Sequence, residues 1–213
     1  MTTTGPGLPP TAASRTVETR EARVQARRTQ ILNSATRLMG RTGYHEMSMQ
    51  AVAEDAGMSV GLIYQYFGNK QDVLRAVIID ILDEFRTEVP PAMAAAGSDP
   101  QARLASGFRR FCEIIDGKRE ATVLAYRESQ TLDGAGRAEI IRMERETIDP
   151  FRAAVQDGID AGSFRRVPAD LVAHNIKLAA HGWALKHWDV GARMSLRAYV
   201  DAELDLLLAG IRV

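Results

Sequence analysis

The chain of 213 residues is predicted to be all-α. Three observations carry that prediction. Apolar residues recur three and four positions apart along nearly the whole chain, which is the spacing of one helix face. Helix-capping residues stand immediately before these runs, and Gly or Pro stands near their ends. Nowhere does apolar–polar alternation persist long enough for a half-buried strand. With 46% hydrophobic and 25% charged residues, the composition is that of a chain with a packed core.

The elements follow in order. Residues 1–22 are rich in Thr, Pro and Gly and lack an apolar period, so a disordered tail is expected there. From about 26 to 41, Ile31, Leu32, Ala35, Leu38 and Met39 mark a helix that Thr42 and Gly43 stop. Ser48 is placed to cap the next helix, with Met47 and Val52 at the spacing of a hydrophobic staple, and Gly57 ends it. Ser59 caps a third helix, and Met58 with Ile63 repeats the staple. Two short helices joined by a glycine-containing turn form a helix-turn-helix. Val52, Ala53, Ala56, Ile63 and Phe67 supply its shared core with the first helix. Asn69, with Asp72 three positions on, caps a long fourth helix ending near Val89 and Pro90.

Further helices are expected from Ser98-Asp99-Pro100 to about 116, and over 119–132, 135–161, 168–189 and 195–209. Pro150 should kink or divide the one that contains it, having no N–H to donate. The domains expected are a tail over 1–22, a helix-turn-helix unit over 23–70, and a larger helical unit over 71–213.

Composition also narrows the function. No run of eighteen apolar residues exists, so no membrane span is expected. The first residues have neither a basic start nor an apolar core, and therefore no secretory signal. A lone cysteine, Cys112, permits no internal disulfide and suits a reducing cytoplasm. Net charge is zero overall, with +2 over residues 1–72 and −2 over the rest. Arg15, Arg20, Arg23, Arg27 and Arg28 make a modest basic arm before the first periodic helix. Charge thus permits nucleic acid without demanding it. No GxSxG, HExxH, P-loop or GxGxxG motif occurs, so no enzyme and no cofactor are indicated. His174 and His181 share a helix face, but nothing converges on them to complete a metal site.

The stretch SVGLIYQYFGNK, residues 59–70, is informative because its outer face carries Val60, Gly61, Tyr64 and Gln65 where a solvated helix carries charge. Small and apolar groups allow close approach to base edges and reward contact with thymine methyls, whereas Gln pairs with adenine. Tyrosine hydroxyls and Lys70 suit phosphate oxygens. In that reading Ser48–Asp55 crosses the backbone while Val60–Tyr66 enters the major groove. The alternative is that Tyr64 and Tyr66 pack on a neighbouring helix of a ligand-binding protein that does not use DNA.

The residues ILNSATRLMGRTGYHEMSMQAVAEDAGMSVGLIYQYFGNKQDVL, with AEDAGMSVGLIYQYFGNK at their centre, resemble the DNA-binding domain of the TetR family of bacterial transcription regulators. The resemblance implies a homodimer whose helix-turn-helix units read successive major grooves of a palindromic operator. It also implies a C-terminal unit that binds a small-molecule effector and dimerises. Carried over by position, base-edge contacts fall to Gln50, Val60, Gly61 and Tyr64, and phosphate contacts to Ser48, Ser59, Tyr66 and Lys70. Family members often have Thr at position 48 and His at position 66, where this chain has Ser and Tyr.

In the larger unit, Leu196, Tyr199, Val200, Leu204, Leu207, Leu208 and Ile211 form an apolar stripe. Ala173, Ile176, Ala180 and Leu185 form another on the preceding helix. The dimer contact is placed on these two helices, with Ile176, Ala180, Val200, Leu204 and Leu207 at its centre; the alternative is that the stripes are monomer core. Polar residues on otherwise apolar stretches mark a ligand pocket: Tyr126, Arg127, Asn175, His181 and Trp183, with Glu128 and His187 nearby. The segment YRESQTLDGAGRAEIIRMERETIDPFRAAVQDGIDAGSFR resembles the regulatory domain of TetR-type regulators of lipid and acyl-CoA metabolism, which implies an acyl-type or other apolar effector.

Overall fold

A computed structural model describes residues 12–213, with side chains from Arg20 onward. Among these residues there are helices and turns but no strand; one isolated bridge joins Phe164 to Arg212. The helices are α1 (Ala12–Thr42), α2 (Met49–Asp55), α3 (Val60–Tyr66), α4 (Lys70–Ala95), α5 (Pro100–Gly117), α6 (Arg119–Glu128), α7 (Gly134–Asp160), α8 (Ala169–Leu185), α9 (His187–Val190) and α10 (Leu196–Ile211). A 3-10 turn, Ser129–Thr131, follows α6.

The first helix is longer than its apolar period suggests. Residues 1–11 of the expected tail lie outside the described residues, but α1 is already formed from Ala12. The stretch Ala12–Ala26 is rich in Ala, Arg and Glu and has no Gly or Pro, so it can extend a helix that the buried Ile31, Leu32, Ala35 and Met39 hold in place. It carries no apolar period to reveal it, and every side chain from Arg20 to Arg27 is exposed.

Four further departures have local causes. Helix α4 continues through Pro90 and Pro91 to Ala95. The carbonyls those prolines leave free belong to Arg86 and Thr87, both exposed, while buried Val89 and Met93 hold the last turns to the core. Helix α7 likewise runs unbroken past Pro150, pinned by buried Met143, Thr147, Phe151 and Ala154. Helix α6 stops at Glu128, where the Thr131 hydroxyl donates to the Glu128 carbonyl (2.7 Å) and competes with the helical pattern. The expected 168–189 helix is two, because Lys186 leaves helical angles (φ −119°, ψ 20°) and its carbonyl starts a new turn.

One hydrophobic core runs from α1 to α10 without interruption. Its centre is on α5, where Phe108, Phe111, Cys112 and Ile115 are almost wholly enclosed. The Phe111 ring lies 4.0 Å from that of Phe85 on α4 and 5.8 Å from that of Phe151 on α7. Burial pushes the Cys112 thiol far above its usual range, with the acidic side chains of Glu203 and Glu113 adding to the effect. At the end of α7 the Phe164 ring folds back onto Gly158, on the spot where any side chain would project. Helix α4 belongs to both ends of the molecule: Val73, Leu74 and Val77 pack beneath the short helices, and Ile81, Leu82 and Phe85 beneath the larger unit.

Candidate DNA-reading helix and ligand cavity

The short helices are built as their caps predict. The Ser48 hydroxyl accepts from Ala51 N (3.1 Å), Ser59 from Leu62 N (3.2 Å), and Asn69 from Asp72 N (3.0 Å). Each cap satisfies a helix N–H that would otherwise lack a partner. Gly57 sits between α2 and α3 at φ +62°, a left-handed conformation in which a side chain is strained. On α3, Ile63 is fully buried and the Phe67 that ends it nearly so. That anchors the inner face and leaves Val60, Gly61, Tyr64 and Gln65 on the outer one. Tyr64 is 53% exposed and Val60 41%. Open space surrounds the position of a missing Gly61 side chain, so the backbone there can be approached closely.

The other expected DNA-contacting residues divide. Gln50 is exposed on α2, its amide 3.4 Å from Glu54. Ser48 and Ser59 are exposed and retain hydroxyl protons to donate. Tyr66 is half-buried, packed against the core beside Phe67 (6.5 Å between rings). Lys70 already has partners in the protein. Its ammonium donates to the His45 carbonyl (2.9 Å) and the Tyr44 carbonyl (3.4 Å), and lies 4.8 Å from the centre of the Tyr44 ring. It therefore ties the start of α4 to the α1–α2 turn, a role that motif reading misses because it depends on the fold.

A cavity of about 320 Å³ lies between α4, α6, α7 and α8. Its apolar walls come from Ile78, Ile81, Leu82, Phe85, Ala125 and Leu178. Two polar pairs stand in it. Tyr126 Oη and His181 Nδ1 are 2.8 Å apart. Burial, with Lys177 nearby, lowers the His181 pKa to about 3, and burial followed by Glu144 raises that of Tyr126. Both are thus neutral near pH 7. With Tyr126 donating, His181 holds its own proton at Nε2. The second pair is Lys177 and Glu144, 3.1 Å apart, with the Lys177 side chain only 11% exposed. The His181 ring also stacks on Phe111 at 5.5 Å, so its plane is fixed from behind.

Of the residues expected in a ligand pocket, the structure brings Tyr126 and His181 together and places the others elsewhere. Asn175 is exposed on α8, outside the cavity lining. Trp183 is core, donating from its indole N–H to Asp116 (2.8 Å). Arg127 and His187 line a different cleft, between α1 and α6. Glu128 is buried at the end of α6. The cavity residues that sequence reasoning misses, His174, Lys177 and Leu178, share one face of α8 with His181 at intervals of three and four, a pattern that becomes legible when polar residues are counted by face. Among the described residues no three metal-ligating side chains gather.

The residues expected at the dimer contact pack within the protomer. Ile176, Ala180, Val200 and Leu204 are buried within the single chain, at 3, 0, 2 and 7% exposure, and Leu207 is half-buried against the same core. The apolar side chains left on the outside of these helices are Leu171 and Leu178 on α8 and Leu206 on α10, with Trp188 beyond.

An exposed, uncharged recognition helix on a helix-turn-helix, joined through one continuous core to a cavity, defines a DNA-binding regulator with its own sensor. Comparison with known proteins agrees. Residues 31–77 match the family "Bacterial regulatory proteins, tetR family", and residues 97–211 match "Tetracyclin repressor-like, C-terminal domain". The chain is 36% identical over 185 residues to the HTH-type transcriptional regulator HbdR of Aromatoleum sp. (strain CIB), covering 87% of this chain and 80% of that one. It is 20% identical to the fatty acid metabolism regulator protein of Bacillus subtilis (strain 168), over 85% of this chain and 94% of that one. The same fold occurs in AibR, solved with isovaleryl coenzyme A and operator DNA (TM-score 0.74, 24% identity, 85% of this chain and 98% of that one). It also occurs in FadR from Bacillus subtilis, solved with stearoyl-CoA (TM-score 0.74, 20% identity, 86% and 99%). This chain belongs to the TetR family of bacterial transcription regulators. It is a regulator and not an enzyme, and no helix among its described residues is long and apolar enough to cross a membrane.

Proposed function

We propose that the protein is a cytoplasmic, ligand-responsive repressor that reads a palindromic operator as a homodimer and releases it when a compact acyl-type effector enters the cavity. The observation that carries the DNA half is the outer face of α3, where Val60, Gly61, Tyr64 and Gln65 stand exposed with no charge among them. Base contacts are assigned to Gln50, Val60, Gly61 and Tyr64. Ser48 and Ser59 donate to phosphates, with Tyr66 and Lys70 at the edge of the contact. In a dimer the two recognition helices sit about one DNA turn apart, roughly 34–36 Å.

Support for an acyl-type effector comes from the apolar walls with their few polar groups, and from relatives named for fatty acid metabolism or solved with acyl-CoA. At about 320 Å³ the cavity is at the small end for a ligand pocket, which favours a ring or a short branched chain over a long one. With Tyr126 donating to its Nδ1, His181 would offer its Nε2–H to the effector's carbonyl. An effector that fits only one arrangement of α4 and α6 shifts the population away from the DNA-binding state, by no more than its difference in affinity for the two states.

Selection of bound duplexes from a random library tests this reading, with Tyr64→Ala run in parallel. The unmodified chain should enrich a palindrome, and Tyr64→Ala should bind it on the order of tenfold or more weakly while folding normally. Short acyl thioesters, ring and branched, should then release the selected duplex. Equal enrichment by both chains would remove α3 as the reading face.

A further inference from the structure

The stretch of α1 from Arg20 to Arg27 is turned to solvent along its whole length. Arg20 through Arg27 are all exposed, including Val24 at 47%, so this stretch buries nothing against its own chain. Where α1 does meet the reading unit, two contacts fix it. The Gln30 amide donates to the Ala56 carbonyl at the end of α2 (2.7 Å), and the Arg28 guanidinium lies 5.9 Å from the centre of the Phe67 ring at the end of α3. Beyond those anchors, from Arg27 back to Arg20, the helix runs on with every side chain exposed. Arg20, Arg23 and Arg27 stand on one side of it, at spacings of three and four, with Glu21 turned away from them. None of the three forms an ion pair with another described residue, although ion pairs are frequent in the rest of the chain.

We infer that this arm is a second DNA-contacting element: its three arginines lie along the sugar–phosphate backbone flanking each half-site and extend the footprint outward from the α3 contact. This role rests on the operator-binding reading above and adds to it a sequence-independent grip. The occupant is duplex DNA because the arm offers positive charge in a row and no apolar face for a protein groove. At about 1.5 Å rise per residue, Arg20 and Arg27 are roughly 10 Å apart, a span of about three phosphates along one strand. The guanidinium fork suits phosphate oxygens. The near-neutral balance of the chain is then a matter of placement, with cations gathered where the duplex passes.

The test is the salt dependence of affinity for a selected operator. In the chain carrying Arg20→Ala, Arg23→Ala and Arg27→Ala together, the slope of log affinity against log salt should become shallower by about 0.9 for each phosphate no longer neutralised, or roughly 2 to 5 for the dimer. The selected consensus should not change, and hydroxyl-radical protection should shorten at both outer edges. Replacing all three by lysine should restore most of the slope, which a mere folding defect would not allow. An unchanged slope and footprint in the alanine variant would overturn the arm. If the unmodified chain enriches no duplex at all, the operator reading fails and the arm with it, an outcome distinct from normal binding with an unchanged slope.

Discussion

His181 links a single residue to the stability of the whole chain. In the unfolded chain a histidine takes up a proton near pH 6.5; in the folded one burial holds this off until about 3. Acid therefore favours unfolding across that interval, because the unfolded state binds the proton first. The stabilisation is complete above about pH 6.5 and is lost as pH falls, at about 1.4 kcal/mol per pH unit in the steep part. Urea unfolding at pH 6.5 and pH 5 should show His181→Phe losing about 2 kcal/mol less than the unmodified chain across that step. An equal loss in both would mean that His181 is charged or open to water in the fold. At this scale the sequence was partly legible. Tyr126 and His181 stood out as polar groups on apolar helices, and Val60, Gly61 and Tyr64 as an unusual outer face. Lys177 did not, nor did the bracing role of Lys70, since an ammonium's partners across the fold leave no local trace.

At the scale of the helix, caps and glycines carried most of the information. Ser48, Ser59, Asn69, Asp99, Asp133 and Ser195 all accept the first-turn hydrogen bonds that their types favour. Prolines misled, because at Pro90, Pro91 and Pro150 the buried neighbours outweigh a missing hydrogen bond, and burial is not written into a proline. Helix α1 misled in the opposite sense, being ordered where there was no apolar period to see. Gly158 is the sharpest constraint on an element end. The Phe164 ring occupies the place of its side chain, and Phe164 in turn follows the left-handed Gly162 (φ +71°) that closes α7. Gly158→Ala should displace that ring and destabilise the fold by about 1–3 kcal/mol, read from chemical unfolding. A neutral or stabilising effect would mean that the α7–α8 connection yields more readily than its packing implies.

Across the whole molecule, the reading unit and the cavity share one core. Within helix α4, Lys70 braces the α1–α2 turn and Phe85, about four turns on, walls the cavity. The apolar stripes of α8 and α10 looked equally suited to monomer core or dimer contact, since periodicity identifies a buried face without saying what buries it. The structure gives Ile176, Ala180, Val200 and Leu204 to the protomer and leaves Leu206, 71% exposed, facing outward. If homodimerisation uses that outer face, Leu206→Glu should sediment as a monomer and lose most of its operator affinity while keeping its helical content. A stable dimer in that variant would move the contact to another surface.

The enclosure of Cys112 has a practical corollary. This is the only thiol in the sequence, it lies at zero exposure in the middle of α5, and its proton is held far above neutral pH. Only a thiolate reacts with maleimides or methanethiosulfonates at a useful rate, so the native protein is silent to both. A cysteine introduced at Arg20, Gln65 or Asn175 would then take a spin label or fluorophore alone. Distances between such labels would report directly how the arms and reading helices move as effector is added.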